Sequence, residues 1–294
     1  MSATTPDRTS VAHRRQSGLL RRRRNVDRAV TVLCAVATFI VLGALVSILF
    51  TLVSNGIRGL TFATLTRVTT PPGNGGGLLN PIIGSIIQTA MATLIGTPVG
   101  LLAGIYLAEY GTGSAIANAV RFVSDMLLSA PSILVGLFVY LILVAPFGHF
   151  SGIAGIAALA ILVVPIVVRT TEDMLRLVPV SMREAAAALG APRWKVVMLV
   201  SVRAAKRGLM TGVLLAIARI AGETAPLLFT SLGNLNWSVS LGQPMASLPV
   251  TIYQYAGSAY DDWVQLAWTS ALLITAGVLL INIVARVGLR GEDR

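Results

Sequence analysis

The chain has 294 residues, of which 55% are hydrophobic and only 12% charged, with a mean hydropathy of +0.78. Soluble domains carry about a quarter charged residues, so this composition excludes one and makes the chain an integral membrane protein. The net charge of +11 is concentrated at the N-terminus, and a single cysteine, Cys34, rules out an internal disulfide.

In chain order, residues 1–28 come first. They hold Arg8, Arg14, Arg15, Arg21 to Arg24 and Arg28 with few apolar residues, which reads as a disordered cytoplasmic tail drawn to anionic lipid rather than to nucleic acid. About 20 apolar residues are needed to cross the hydrocarbon as a helix. Six runs qualify, near 29–53, 82–108, 122–145, 152–171, 208–231 and 264–286. The fold class is therefore an all-α polytopic membrane protein, with a transmembrane domain over 29–287 and a short tail at 288–294. Placing the N-terminus inside puts the tail's arginines, Arg121, the seven basic residues from Arg176 to Arg207, Arg290 and Arg294 in the cytoplasm. Only Arg58 and Arg67 then lie outside, so the positive-inside rule sets both termini in the cytoplasm.

The connecting segments carry local signals. The stretch PPGNGGGLLNP (71–81) reads as a flexible loop, with an anion-binding nest as the alternative. Segment 232–263 holds Trp237, Tyr253, Tyr255, Tyr260 and Trp263, either an interfacial aromatic belt or a docking surface. His13 and His149 have no acidic or thiol partner at metal-ligand spacing, and no nucleophile–base pair or phosphate-cradling loop appears. Glu109 reads as an interfacial cap, and Arg121 with Asp125 as a solvated helix-end pair.

Between the fourth and fifth runs, SMREAAAALGAPRWKVV (181–197) reads as two short helices. Ser181 and Glu184 fit a capping box, Gly190 a left-handed stop and Pro192 the start of a second helix. The first helix, 182–189, is about 12 Å long and cannot stand alone. It is either a plain connector or a rigid peg for a cytosolic partner.

The fifth run contains ARIAGETAPLLFT (218–230). Arg219 and Glu223 are four residues apart and share a helix face, ~6 Å apart along the axis. A lone charge at that depth costs at least ~2.5–3.5 kcal/mol. The order Arg before Glu is the less favourable one for an intrahelical pair. Pro226 cannot donate to the Gly222 carbonyl, so both residues predict a helix kink with a freed polar group, tolerated only beside protein or a wet cavity. Together these features point to a polar pathway; a structural ion pair is the alternative. Arg169, at the end of the fourth run, reads either as a snorkelling interfacial residue or as a second pathway group, with Glu172 and Asp173 offsetting its charge.

Glu184, Ala185, Ala186 and Gly190 match the EAA loop of ABC importer permeases, here spanning 173–207. The aliphatic continuation is kept in Val200 and Val202, but Arg203 stands where that family usually has proline. NPIIGSIIQT (80–89), GIYLAEYG (104–111), SAPSILVGLFVY (129–140), PIVVRTTEDML (165–175), ARIAGETAPLLFT and QPMASLPVTIYQYA (243–256) together resemble the A-type permease subunit of the phosphate (Pst) ABC importer, over residues 78–290.

That resemblance implies a type I importer permease fold and no enzymatic activity. It implies no cofactor bound by this chain, and ATP with Mg used by partner ATPases. It implies a bacterial plasma-membrane assembly with a homologous C-type permease, two ATPases and an extracytoplasmic phosphate-binding protein. Arg219, Glu223 and Arg169 would line the phosphate passage, and Glu184, Ala185, Ala186 and Gly190 would couple to the ATPase. The alternatives are a permease for sulfate or molybdate, or a phosphate-sensing scaffold or channel without active transport.

Overall fold

The computed structural model describes residues 8–290, with side chains from 23 to 284 and at 287. Its regular structure is helical throughout, as expected where the backbone must satisfy its own hydrogen bonds in lipid. The chain divides into two units, residues 1–54 and 55–294. The first holds most of α1 (Arg8–Arg58). This helix takes in the basic tail from Arg8, where composition had placed a disordered segment; residues 1–7 and 291–294 lie outside the described residues. Its most apolar stretch is exposed on every side.

The second unit carries the bundle. After α2 (Phe62–Thr66) comes α3 (Leu79–Ile105), which widens into a π turn over Tyr106–Tyr110. There follow α4 (Ala115–Ser129), α5 (Ser132–Val139) with a π turn at Tyr140–Val144, and α6 (Gly152–Arg176). Next are α7 (Val180–Ala188), α8 (Arg193–Lys195), a π turn at Val196–Ser201 and α9 (Val202–Ile220). The chain ends with α10 (Ala225–Thr230), α11 (Leu248–Ala256) and α12 (Asp261–Arg290).

The six apolar runs do not all appear as straight spans. Among the described residues four helices are long and apolar enough to cross a membrane, and a fifth span arises if α4 and α5 are taken as one. That pair bends by 106° at Ala130, whose ψ of 139° is the extended conformation imposed by the following Pro131. The run at 208–231 is likewise divided: α9 stops at Ile220 and α10 restarts at Ala225. Pro226 therefore lies in the first turn of a new helix instead of kinking a continuous one. Its missing N–H costs nothing there, because first-turn amides have no helical partner.

The centre of the bundle is α6, packed against α3 along a glycine stripe. A Cβ on Gly96, Gly100 or Gly104 would come within 2.8, 2.6 and 2.5 Å of the Cβ atoms of Val163, Val167 and Thr171. Both series ascend together, so the two helices run parallel with their backbones in close approach, the packing that small residues permit in membranes. On another face Gly208 and Gly212 of α9 meet Met174 and Thr170, so α9 runs antiparallel to α6. Val135, Leu159, Val163, Val167, Ile220 and Leu227 close the core between α5, α6, α9 and α10.

At the N-terminal end of α3, the glycine-rich loop is pinned: the Gly73 amide donates to Asp262 Oδ2 at 2.6 Å. Tyr255 is buried and stacks on Trp263, ring centroids 4.1 Å apart, whereas Trp237, Tyr253 and Tyr260 stand exposed. The aromatic segment thus contributes two rings to a core and three to the surface. Burial, reinforced by the Asp262 carboxylate, pushes the Tyr255 hydroxyl up to about 12.

Candidate transport passage and coupling surface

Arg219 occupies the last turn of α9, and the break after Ile220 places Glu223 in the non-helical link. The two remain paired, but loosely. Arg219 Nε lies 3.9 Å from Glu223 Oε1, too far for a hydrogen bond, with side chains 47% and 17% exposed. The guanidinium keeps its donors available on one side while a carboxylate limits its net charge. Around Gly222 there is open space where a Cβ would stand.

Arg169, on α6, is also half exposed. Its Nε is 3.3 Å from Asp173 Oδ2 and its Nη1 3.8 Å from Asp125 Oδ1 on α4. Thr170, beside it, packs on Gly212. Gly212 lies seven residues before Arg219 on α9, about 10 Å by helical rise, so Arg169 and Arg219 stand about two helical turns apart along the α6–α9 pair. Among the described residues the two arginines have no acidic partner in common.

The other charges are arranged differently from expectation. Glu172 does not serve Arg169. It is 2% exposed and receives Arg121 Nε at 2.8 Å and Arg176 Nη2 at 2.5 Å. Arg121 also donates to the Leu107 carbonyl at 3.1 Å and to Asn118 Oδ1 at 3.1 Å. The expected Arg121–Asp125 pair is thus replaced by a clamp joining α3, α4 and α6, because burial of Glu172 demands the cation more strongly than a solvated aspartate does. Glu109 is likewise no interfacial cap. Its carboxylate is largely buried, with Arg183 Nη2 2.9 Å away at an angle that makes an ion pair but no hydrogen bond.

The segment read as a peg forms α7. Helix starts at Val180, two residues earlier than the capping box requires, with Pro179 as its first cap and no side-chain capping bond. Pro179 already fixes the turn's geometry, which leaves Ser181 inside the first turn. The C-terminus follows expectation. Gly190 has φ +81°, its amide donates to the Ala187 carbonyl, and the Ala191 amide donates to the Ala186 carbonyl, the two bonds of a Schellman stop. No residue of α7 is buried. Glu184, Ala185 and Gly190 are exposed and Ala186 is half-buried. Apolar side chains flank them: Leu177, Val180, Trp194 and Leu189, the last 90% exposed. A short helix whose outward face carries an apolar rim is a candidate docking surface.

Sequence reasoning missed the contacts of Glu109, Arg183 and Arg193. The one available signal was that these charges lack a partner three or four residues away. No group of three or more His, Cys, Asp or Glu residues arranged to hold a metal occurs among the described residues.

Comparison with known proteins gives this geometry its context. Residues 96–290 match the family model "Binding-protein-dependent transport system inner membrane component". The chain is 55% identical over 282 residues to the phosphate transport system permease protein PstA of Yersinia pestis, covering 96% of this chain and 95% of that one. It is 52% identical to PstA of Pasteurella multocida, over 89% and 93% of the two chains, and 35% identical to PstA 1 of Mycobacterium tuberculosis, over 90% and 88%. Among solved structures, the inward-facing MetNI methionine ABC transporter superposes with a TM-score of 0.60 at 23% identity, over 74% of this chain and 96% of that one, a likeness of fold. The chain belongs to the binding-protein-dependent inner-membrane transport components, within the group of PstA phosphate transport permeases.

Proposed function

We propose that this chain forms half of the solute passage of an ATP-driven importer of inorganic phosphate. The observation that carries the reading is Arg219: a half-exposed guanidinium at a break in a membrane helix, held only at 3.9 Å by Glu223. Phosphate carries negative charge at neutral pH, and a guanidinium offers planar paired donors to its oxygens. A passage must bind weakly enough to release, and Glu223 tempers the attraction. Arg169, tempered by Asp173 and Asp125, is the next half-exposed cation toward the α7 end.

ATP is hydrolysed by partner subunits. The exposed face around Glu184, Ala185, Ala186 and Gly190 is the site where a cytosolic ATPase docks, which sets α7 and both termini on the cytoplasmic side. A C-type permease supplies the other half of the passage, two ATPases bind ATP with Mg, and an extracytoplasmic binding protein delivers phosphate at the Gly73–Asp262 end. The inner membrane is the location this assembly requires.

The test is labelled-phosphate uptake in cells lacking the chain, restored by its expression, with sulfate and molybdate as competitors. The expected outcome is restored uptake that excess unlabelled phosphate suppresses and the other oxyanions do not. Suppression by sulfate or molybdate at equal concentration contradicts the substrate assignment.

A further inference from the structure

Three arginines from three elements converge on the π turn that ends α3. Arg183 of α7 pairs with the Glu109 carboxylate at 2.9 Å. Arg193 of α8 donates to the Glu109 carbonyl and lies over the Tyr110 ring, 4.8 Å from its centroid. Arg121 of α4 donates to the Leu107 carbonyl. Single π turns within α-helices recur at functional sites. This one is gripped by both arms of the α7–α8 hairpin, one arginine on each side of Gly190.

Chain connectivity alone would carry a push on that hairpin to two helices. α7 follows α6 through the short Leu177–Pro179 turn, and α8 runs through a π turn into α9. α3 has no such covalent link; Arg193 and Glu109 are 84 residues apart. The Glu109–Arg183 pair supplies the connection. The same guanidinium donates to the Leu175 carbonyl at 2.7 Å and to Ser201 Oγ at 3.1 Å, so one side chain ties the ends of α3 and α6 to the turn that starts α9. A largely buried carboxylate cannot leave its cation without a large desolvation cost, so Glu109 must follow α7 when α7 moves.

We propose that Glu109 is the positioning residue through which displacement of the α7–α8 hairpin reaches α3. The inference rests on the reading of α7 as the ATPase-docking element. Because α3 lies in register along α6 through Gly96, Gly100 and Gly104, moving α3 and α6 together preserves their contact. It carries Arg169 with the pair instead of shearing it away.

The experiment uses the full transporter with its ATPase and binding protein in proteoliposomes. It compares wild type, Glu109→Gln, Arg183→Gln and the double variant. Three quantities are read: ATPase retained on purification, ATP hydrolysed, and phosphate taken up per ATP. Glu109→Gln is expected to retain the ATPase and its hydrolysis while uptake per ATP falls about tenfold, within the usual range of coupling between sites. The double variant is expected to be no worse than the worse single one, the non-additivity of a pair acting together. Uptake per ATP equal to wild type, additive losses, or loss of the ATPase overturns the proposal.

Should the Glu109→Gln chain itself fail to fold and reach the membrane, the exposed Arg193→Gln is the second probe. A smaller loss in the same ratio is expected, and a wild-type ratio overturns the proposal. A wild-type chain that retains no ATPase or moves no phosphate sinks the functional reading itself. A wild type that does both, beside a Glu109→Gln variant that matches it, sinks only the inference.

Discussion

Two sets of ion pairs occupy the same bundle and are built in opposite ways. Near α7, Glu172 and Glu109 are withdrawn from solvent and held at 2.5–2.9 Å by arginines, Arg121 and Arg183 from other elements and Arg176 from the next turn of α6. On α6 and α9, Arg169 and Arg219 are half exposed, with carboxylates at 3.3–3.9 Å. In the first set the carboxylate is the buried partner and the cations serve it. In the second the cation is the accessible partner and the carboxylates merely temper it. The lesson is that charge alone does not set candidate passage residues apart from structural ones; the exposure of the cation and the looseness of its pairing distinguish Arg169 and Arg219 from the clamped set.

The comparison can be broken at its tight end first. Glu172→Ala leaves Arg121 and Arg176 without their shared acceptor and is expected to destabilise the fold by about 3 kcal/mol, the lower range for a broken buried pair, read as a fall in thermal midpoint in detergent. No change in midpoint would make the clamp ornamental. Gly100→Ala tests the scaffold between the two sets. Its methyl would lie 2.6 Å from Val167 Cβ, and overpacking of this kind costs about 1–3 kcal/mol; an unchanged midpoint would mean that α3 and α6 separate freely. The smallest effect is expected at the loose end. Asp173→Asn should shift stability by less than about 0.5 kcal/mol, as for exposed pairs generally, while changing phosphate uptake. A large loss of stability with unchanged uptake would place Arg169 among the structural charges.

Much of this was legible in the sequence, and the failures have physical causes. The apolar runs, the Arg219–Glu223 pair and the Gly190 stop could be read because each depends on residues within a few positions of one another. The bend at Ala130 was hidden because a hydropathy average runs smoothly across a proline that the backbone cannot ignore, and the kink read from Gly222 and Pro226 is a full break after Ile220. The capping box failed because Pro179 had already set the first turn. Glu109 with Arg183, Glu172 with Arg121, and the glycine stripe facing Val163 and Val167 join residues far apart in the chain. Only the packing of α3 on α6, and of α7 beneath them, brings these together.

The most direct measurement of the central claim is phosphate uptake by Arg219→Gln and Arg219→Lys at wild-type membrane abundance and wild-type ATPase retention. If the guanidinium meets phosphate, Arg219→Gln lowers uptake about 10- to 100-fold, the worth of a hydrogen bond to a charged group. Arg219→Lys then recovers part of it, since an ammonium supplies the charge without the paired donors. Normal phosphate uptake by Arg219→Gln would contradict the account and make the pair with Glu223 a structural one.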